Sequence, residues 1–375
     1  MDLPDVQDSV LAPPARVAHA PSLTVARLQV WAVVAGRLAY GVAALALLVL
    51  GLELLKEAAS GVADILDRLS AQSVPNMVGF GWLGSYVLMS GSPVAAMALS
   101  LYAGGATSDI GTFAMICGTR LGASLSVVFV GFLYYLRRRR QPDPIYVGVV
   151  ALLTAVTLWV PVIPLGSLLI RSGWLDGTEF RTPEALTSFS DLTYGRVADT
   201  LGGWLPGVAL FGLGTALLLG SFHVFDRALP NLEQPGPSLT RLWRALQRRY
   251  AMFLLGLLVT AVTLSVSLSL TLLVPLSLKG YVKRENIIPY VMGANISTWV
   301  DTLFVAVLVD APGAFAIVLA AMIAGSVVSL AVLAFLYQPY QRLVLRLAHA
   351  VTASPGALAL FLGTFLAVPL VLLLI

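Results

Sequence analysis

Residues 81–133 and 256–308 of this chain align without a gap at an offset of 175. Identities across that offset include Gly81/Gly256, Val87/Val262, Ser90/Ser265, Ser92/Ser267, Gly105/Gly280, Gly118/Gly293 and Phe129/Phe304. Several of these are Ser or Gly inside apolar segments, where hydrophobicity alone would not place them. Two polar-interrupted copies of one unit restrict the fold to architectures assembled from repeats, with a site where the copies meet. Secondary transporters are commonly built this way, so transport is the first expectation for function.

Composition fixes the surroundings. Apolar residues make up 58% of the chain and charged residues 11%, against roughly 25% charged in soluble domains. Mean hydropathy is +0.88. Crossing a hydrocarbon core of about 30 Å takes about 20 residues, and runs of that length fall at 28–52, 110–136, 145–170, 202–224, 287–309, 313–336 and 355–375. The fold class is therefore an all-α polytopic membrane protein with about seven full spans. Residues 1–26 hold Asp2, Asp5, Asp8 and four prolines but no apolar run, which predicts a disordered cytosolic tail and no cleavable signal peptide. Cys117 is the one cysteine, which excludes an intramolecular disulfide and any multi-cysteine metal site. The net charge of +4 does not mark a nucleic-acid partner, because the basic residues fall between the spans.

Segments 76–104 and 250–278 differ from the spans. Each is apolar and long enough to cross, but each clusters small polar residues at its middle: Ser90, Gly91 and Ser92 in one, Ser265, Ser267, Ser269 and Thr271 in the other. They read as re-entrant hairpins, since irregular backbone at membrane depth survives only inside protein or against a water-filled cavity. The basic residues test this topology. With a cytosolic N-terminus, the inner side carries Arg16, Arg27, Arg137–Arg140, Arg227, Arg241, Arg244, Arg248, Arg249, Lys279, Lys283, Arg284, Arg342 and Arg346, while the outer side carries only Lys56, Arg68, Arg171, Arg181 and Arg196. That is the positive-inside bias, and it makes the two copies inverted. The organisation that follows is a tail (1–26), a first repeat (27–170), an extracellular linker (171–201), a second repeat (202–337), and a cytosolic loop with a final span (338–375). Segments 53–71 and 226–249 read as amphipathic surface helices. The expected location is a cell (inner or plasma) membrane, with lipids as partners and a homodimer compatible with the chain.

The stretch from Gly256 through Leu264-Ser265-Val266-Ser267, with Gly280, Pro289 and Met292-Gly293-Ala294-Asn295-Ile296-Ser297-Thr298, resembles the type II sodium/phosphate cotransporter family. That family pairs a Gln-Ser-Ser-Ser hairpin motif with a Gly-Ala-Asn-Ile-Gly-Thr segment about thirty positions later. The first copy, Met89-Ser90-Gly91-Ser92 with Gly118-Thr119-Arg120-Leu121-Gly122-Ala123, is similar but weaker. The resemblance covers roughly 45–335. It implies transport of inorganic phosphate or a related small oxyanion coupled to Na⁺ or, alternatively, H⁺. Met89 and Leu264 replace both motif glutamines, which removes an acceptor and a donor pair from each half of that site. Gly91 and Val266 replace the middle serines.

By position, Ser90, Ser92, Ser265 and Ser267, with Arg120 and Asn295, become the candidate substrate ligands. Asp301, Ser269, Thr298 and Ser126 are the candidate cation ligands. No other cofactor is expected. Hairpin tips expose helix N-termini that suit anions. The plainer alternative is that Ser and Gly only permit close helix packing. Arg120 and Asp301 are the sharpest pair, because each charge costs about 2.5–3.5 kcal/mol at a helix centre on insertion scales. Either Arg120 holds an anion through its fork of donors and Asp301 takes a cation or proton, or the two neutralise each other. Cys117 is expected to line a wetted cavity on the transport reading and to be packed and inert otherwise. Trp82, Trp159, Trp174 and Trp204 read as interfacial belt residues. No nucleophile–base pair is apparent, so no enzyme is expected. The competing classes are a same-fold transporter of another solute, working as importer or exporter, and a scaffold that has lost its site.

Overall fold

A computed structural model of the chain describes residues 23–68, 73–137, 143–178, 190–228, 248–278 and 281–375, and the regular elements among them are helices. Seven are long and apolar enough to cross a membrane: Val34–Glu57, Asp109–Leu136, Pro144–Arg171, Gly207–Ala228, Arg284–Val309, Ala314–Thr352 and Pro355–Leu372. Their outer faces carry large apolar side chains. Leu254, Leu258 and Val262 recur at four-residue spacing along one shorter helix, and Phe335 and Leu360 stand out from others. Apolar surface of this kind needs a hydrocarbon solvent. The protein is embedded in a membrane.

Several expectations need correction. The first helix begins at Leu23, inside the predicted tail, and the rest of that tail lies outside the described residues. The surface helix starts later than 53: Leu54, Leu55 and Ala58 are buried, the first helix runs to Glu57, and a separate amphipathic helix follows at Ala59–Arg68, while 69–71 lie outside the described residues. Most of the second proposed surface helix, 229–247, lies outside the described residues, as does 179–189 of the linker. The stretch after 338 is helix, not loop. It continues the preceding span through a π-turn at Val332–Leu336 into Tyr337–Thr352, because Val344 and Ala348 recur at helical spacing and pack inward. Trp82 and Trp159 are buried core residues rather than belt residues, whereas Trp174 and Trp204 are exposed.

Two helix crossings anchor the interior, and they use equivalent residues 175 apart. The helix Val74–Leu88 lies across Asp109–Ala123, and Arg249–Thr263 lies across Arg284–Ser297. A Cβ on Gly81 would sit 1.9 Å from the carbonyl oxygen of Met115, and one on Gly256 would sit 2.1 Å from that of Tyr290. In return, a Cβ on Gly118 would meet the Val78 carbonyl at 2.2 Å, and one on Gly293 would meet the Phe253 carbonyl at 2.0 Å. Backbone therefore touches backbone at both crossings, the close approach that small residues permit between membrane helices.

After the first arm of each crossing the chain turns. Val74–Leu88 gives way at Met89–Gly91 to Ser92–Ala103, and Arg249–Thr263 gives way at Leu264–Ser265 to Val266–Thr271 and then Leu273–Leu278. The pivot residues, Met89 (φ 50°) and Leu264 (φ 47°), are both left-handed. That conformation costs a non-glycine residue about 1–2 kcal/mol, and both copies carry it at the same position. Pro93 lies in the first turn of the second arm, Ser92–Ala103, where its missing N–H does no harm. The Ser265 side chain caps the second turn by accepting from the Leu268 N–H at 3.3 Å. Around this centre, Leu23–Glu57 pairs with Gly207–Ala228, and Pro355–Leu372 packs on Val74–Leu88, where Phe365 lies against Trp82 and Tyr86.

Candidate functional site

The two turns meet at one cavity of about 410 Å³. Ser90 and Ser92 line it from the first turn, Leu264 and Ser265 from the second. Its floor is the start of the helix Trp299–Val309, which contributes Asp301 and Phe304. The far wall comes from Leu23–Glu57 and Gly207–Ala228, with Leu45, Leu48, Phe222, Phe225 and Asp226. The apolar wall residues sit in ordinary-looking spans, and nothing in their local sequence marks them. Asp226, one residue before Arg227 at a span end, was the one visible signal.

Asp301 organises the floor. One carboxylate oxygen, Oδ2, accepts from the Ser92 hydroxyl, and Oδ1 accepts from Thr302 Oγ1 at 2.9 Å. Thr302 in turn accepts from Arg120 Nη2 at 3.2 Å, while Thr298 Oγ1 accepts from Nη1 at 2.9 Å. The guanidinium lies over the Trp299 ring, with Cζ 4.3 Å from its centroid, a cation–π contact of the desolvated kind. Trp159 braces that ring edge-on at 5.3 Å. Arg120 is 1% exposed and Asp301 8% exposed. The two charges thus meet through the Thr302 hydroxyl, and Arg120 stands behind the floor of the cavity rather than in it.

The other candidate ligands divide clearly. Ser267, two residues past Ser265, does not line the cavity and accepts a hydrogen bond from Ser126 at 3.3 Å. That contact joins positions equivalent to Ser92 and Asp301, with copies exchanged, so one version of the contact is charged and the other neutral. Ser269 is fully buried and is held by Thr260 at 2.6 Å and Tyr290 at 2.8 Å. It fastens the second turn to its crossing partner and does not reach the cavity. Thr298 is committed to Arg120. Asn295 is buried in the crossing helix Arg284–Ser297 and does not line the cavity, and its Nδ2, like Arg120 Nε, Ser297 Oγ and Trp299 Nε1, has no hydrogen-bond partner among the described residues. Cys117 is wholly buried in the core and does not line the cavity, contrary to the expectation made for it on the transport reading.

Chemically, the cavity offers hydroxyls over a carboxylate floor between apolar walls. Ser265 accepts from the Leu268 N–H, which leaves its proton free for a ligand, whereas Ser92 spends its proton on Asp301. No family model, curated protein or solved structure matches the chain.

Proposed function

We propose that the protein is a secondary active transporter of the sodium/phosphate cotransporter kind. In this reading the turns 89–91 and 264–265 are the tips of two inverted, re-entrant hairpins, and solute binds between them. The observation that carries it is the cavity itself: equivalent residues of both copies, Ser90 and Ser265, line one space that neither copy could form alone. A scaffold that had lost its site would have no reason to keep a polar-floored cavity at that junction. Helix length supports re-entrance. Val74–Leu88 has 15 residues and Ser92–Ala103 has 12, so at 1.5 Å per residue each reaches only about 18–22 Å, short of a core of about 30 Å.

The substrate favoured is inorganic phosphate or a related small oxyanion. Ser90 and Ser265 donate to it and the start of the helix Ser92–Ala103 faces it, with Asp301 serving the coupling ion, Na⁺ or H⁺. A second reading has a specific support: the charged groups lining the cavity are the carboxylates Asp301 and Asp226, which favours a neutral or cationic solute on the same fold. Uptake of labelled phosphate into proteoliposomes, driven by a Na⁺ gradient or a proton gradient, decides between them. Uptake under either gradient, abolished by Ser90→Ala/Ser265→Ala, is the expected result. Phosphate-independent counterflow of amines or neutral solutes instead would move the assignment to the second reading, and no flux of any solute would leave the scaffold.

The topology has its own test. Tags at 73 and at 105–108 should report one face of the membrane, and tags at 248 and 281–284 the opposite face. A tag at 73 on the far side from one at 105–108 would make the first turn a full crossing and end the inverted-repeat reading. The expected location is the cell (inner or plasma) membrane, with the N-terminus on the cytosolic side.

A further inference from the structure

We propose that Arg120 is a built-in cation: it occupies the oxygen cluster where a sodium ion would otherwise bind, so the Asp301 site carries its own counter-charge and does not take Na⁺.

The cluster has the right chemistry for a hard cation. A carboxylate, Asp301, and two hydroxyls, Thr298 and Thr302, converge from one helix break, with Ser92 added from the first turn. Oxygen sets of this kind are what hard cations select. Here the lone pairs already face a guanidinium. Nη1 takes Thr298 and Nη2 takes Thr302, whose own proton goes to Asp301. The arrangement is a relay of donors running from the charge of one copy to the charge of the other.

Arg120 is also unable to leave. Its charge sits over the Trp299 ring, which Trp159 supports from the side. Its backbone lies two residues from Gly118, at the crossing where the helix touches the Val78 carbonyl. A second monovalent cation about 4 Å from this guanidinium would be disfavoured by roughly a thousandfold at the effective dielectric of such sites. A flexible arginine could swing aside to relieve that repulsion, but one pinned at ring, hydroxyls and backbone cannot.

The internal comparison points the same way. Arg120 is equivalent to Asn295, and Asp301 to Ser126. Cation and anion thus stand on opposite copies at positions that meet across the interface, while the exchanged contact, Ser126 to Ser267, is neutral. A carboxylate added alone would have created a cation site. The carboxylate with its arginine makes a closed pair.

The inference rests on the transport reading only for its consequence, that uptake does not depend on Na⁺; ion binding is measured apart from transport. Purified full-length protein is unfolded thermally in detergent, in NaCl and in choline chloride of equal ionic strength. The wild type is expected to melt at the same temperature in both. Arg120→Ala vacates the cluster and should be stabilised by Na⁺ selectively. Arg120→Lys should not be, and Arg120→Ala/Asp301→Asn should lose the response. A wild type stabilised by Na⁺ over choline, or a folded Arg120→Ala variant indifferent to Na⁺, overturns the proposal. Should Arg120→Ala not fold, equilibrium binding of radiolabelled Na⁺ to the wild type carries the test: binding that Asp301→Asn abolishes refutes the built-in cation, and its absence supports it. In the refuting case the transport reading stands, with Na⁺ as coupling ion. A failure of proteoliposome uptake leaves the ion-binding result untouched.

Discussion

Gly293→Ala is expected to lower the thermal stability of the purified protein, whereas Gly363→Ala should raise it. Alanine is favoured over glycine inside a helix by about 1 kcal/mol, so the default sign is stabilising. At Gly363 nothing lies within 4 Å of the added Cβ, and that default should hold. At Gly293 the Cβ would stand 2.0 Å from the Phe253 carbonyl oxygen, and a backbone atom cannot rotate away as a side chain can. Relief requires one helix to slide off the other, an overpacking cost of about 1–3 kcal/mol or more. The same reversal is expected at Gly81, Gly118 and Gly256, whose contacts are equally close. Melting curves of the five single variants in one detergent check it. If Gly293→Ala and Gly363→Ala shift in the same direction, the crossings are looser than described.

The second large effect concerns the buried charges. Arg120→Gln or Asp301→Asn alone should each cost about 3–5 kcal/mol, the usual penalty for stranding one member of a buried pair. Asp301 should fall toward the lower end, since it borders the cavity and water can partly compensate. The double variant Arg120→Gln/Asp301→Asn should recover most of that stability, because neither side chain then carries an uncompensated charge. Uptake should not recover with it, since the floor of the cavity has lost the carboxylate that holds Ser92. Measuring both quantities on all three variants separates the roles. Recovery of uptake along with stability would show that Arg120 and Asp301 are structural only and would remove Asp301 from the site.

Much of the fold was legible because the signals were collective. Seven spans follow from hydropathy over windows of about 20 residues, and the two turns follow from Ser and Gly where an apolar run should be unbroken. The register of the repeat was legible to the residue, and the pivots Met89 and Leu264 fall on it. The cavity lining was legible at the repeat serines Ser90, Ser92 and Ser265 and at the intramembrane charge Asp301. Direction was not: Arg120 and Asp301 could be seen as buried charges, but linear spacing cannot say that the guanidinium turns toward Trp299 and away from the cavity. Ser269 looked like its neighbours in the serine run, yet its contacts to Thr260 and Tyr290 make it a fastener. The apolar wall of Leu45, Phe222 and Phe225 was invisible, since in a membrane span such residues are the background. Trp82 and Trp159 misled for the converse reason: indole suits the interface by habit, but here the rings fill the space between helices.

The glycine crossings also bear on how the chain is made. Both partners of the first crossing lie within the first copy, and both partners of the second within the second. Membrane helices insert individually and then associate, and the N-terminal part of a chain emerges from the ribosome first. The first pair can therefore clasp while the second copy is still being synthesised. Each crossing closes through contacts within its own copy, and helices from elsewhere, such as Pro355–Leu372 on Val74–Leu88, pack on it afterwards. The cavity, which draws on both turns, can exist only after the two copies dock. Assembly thus divides into two early local steps and one late distant one, and lesions at Gly81 or Gly118 should stall biosynthesis sooner than lesions at Gly256 or Gly293.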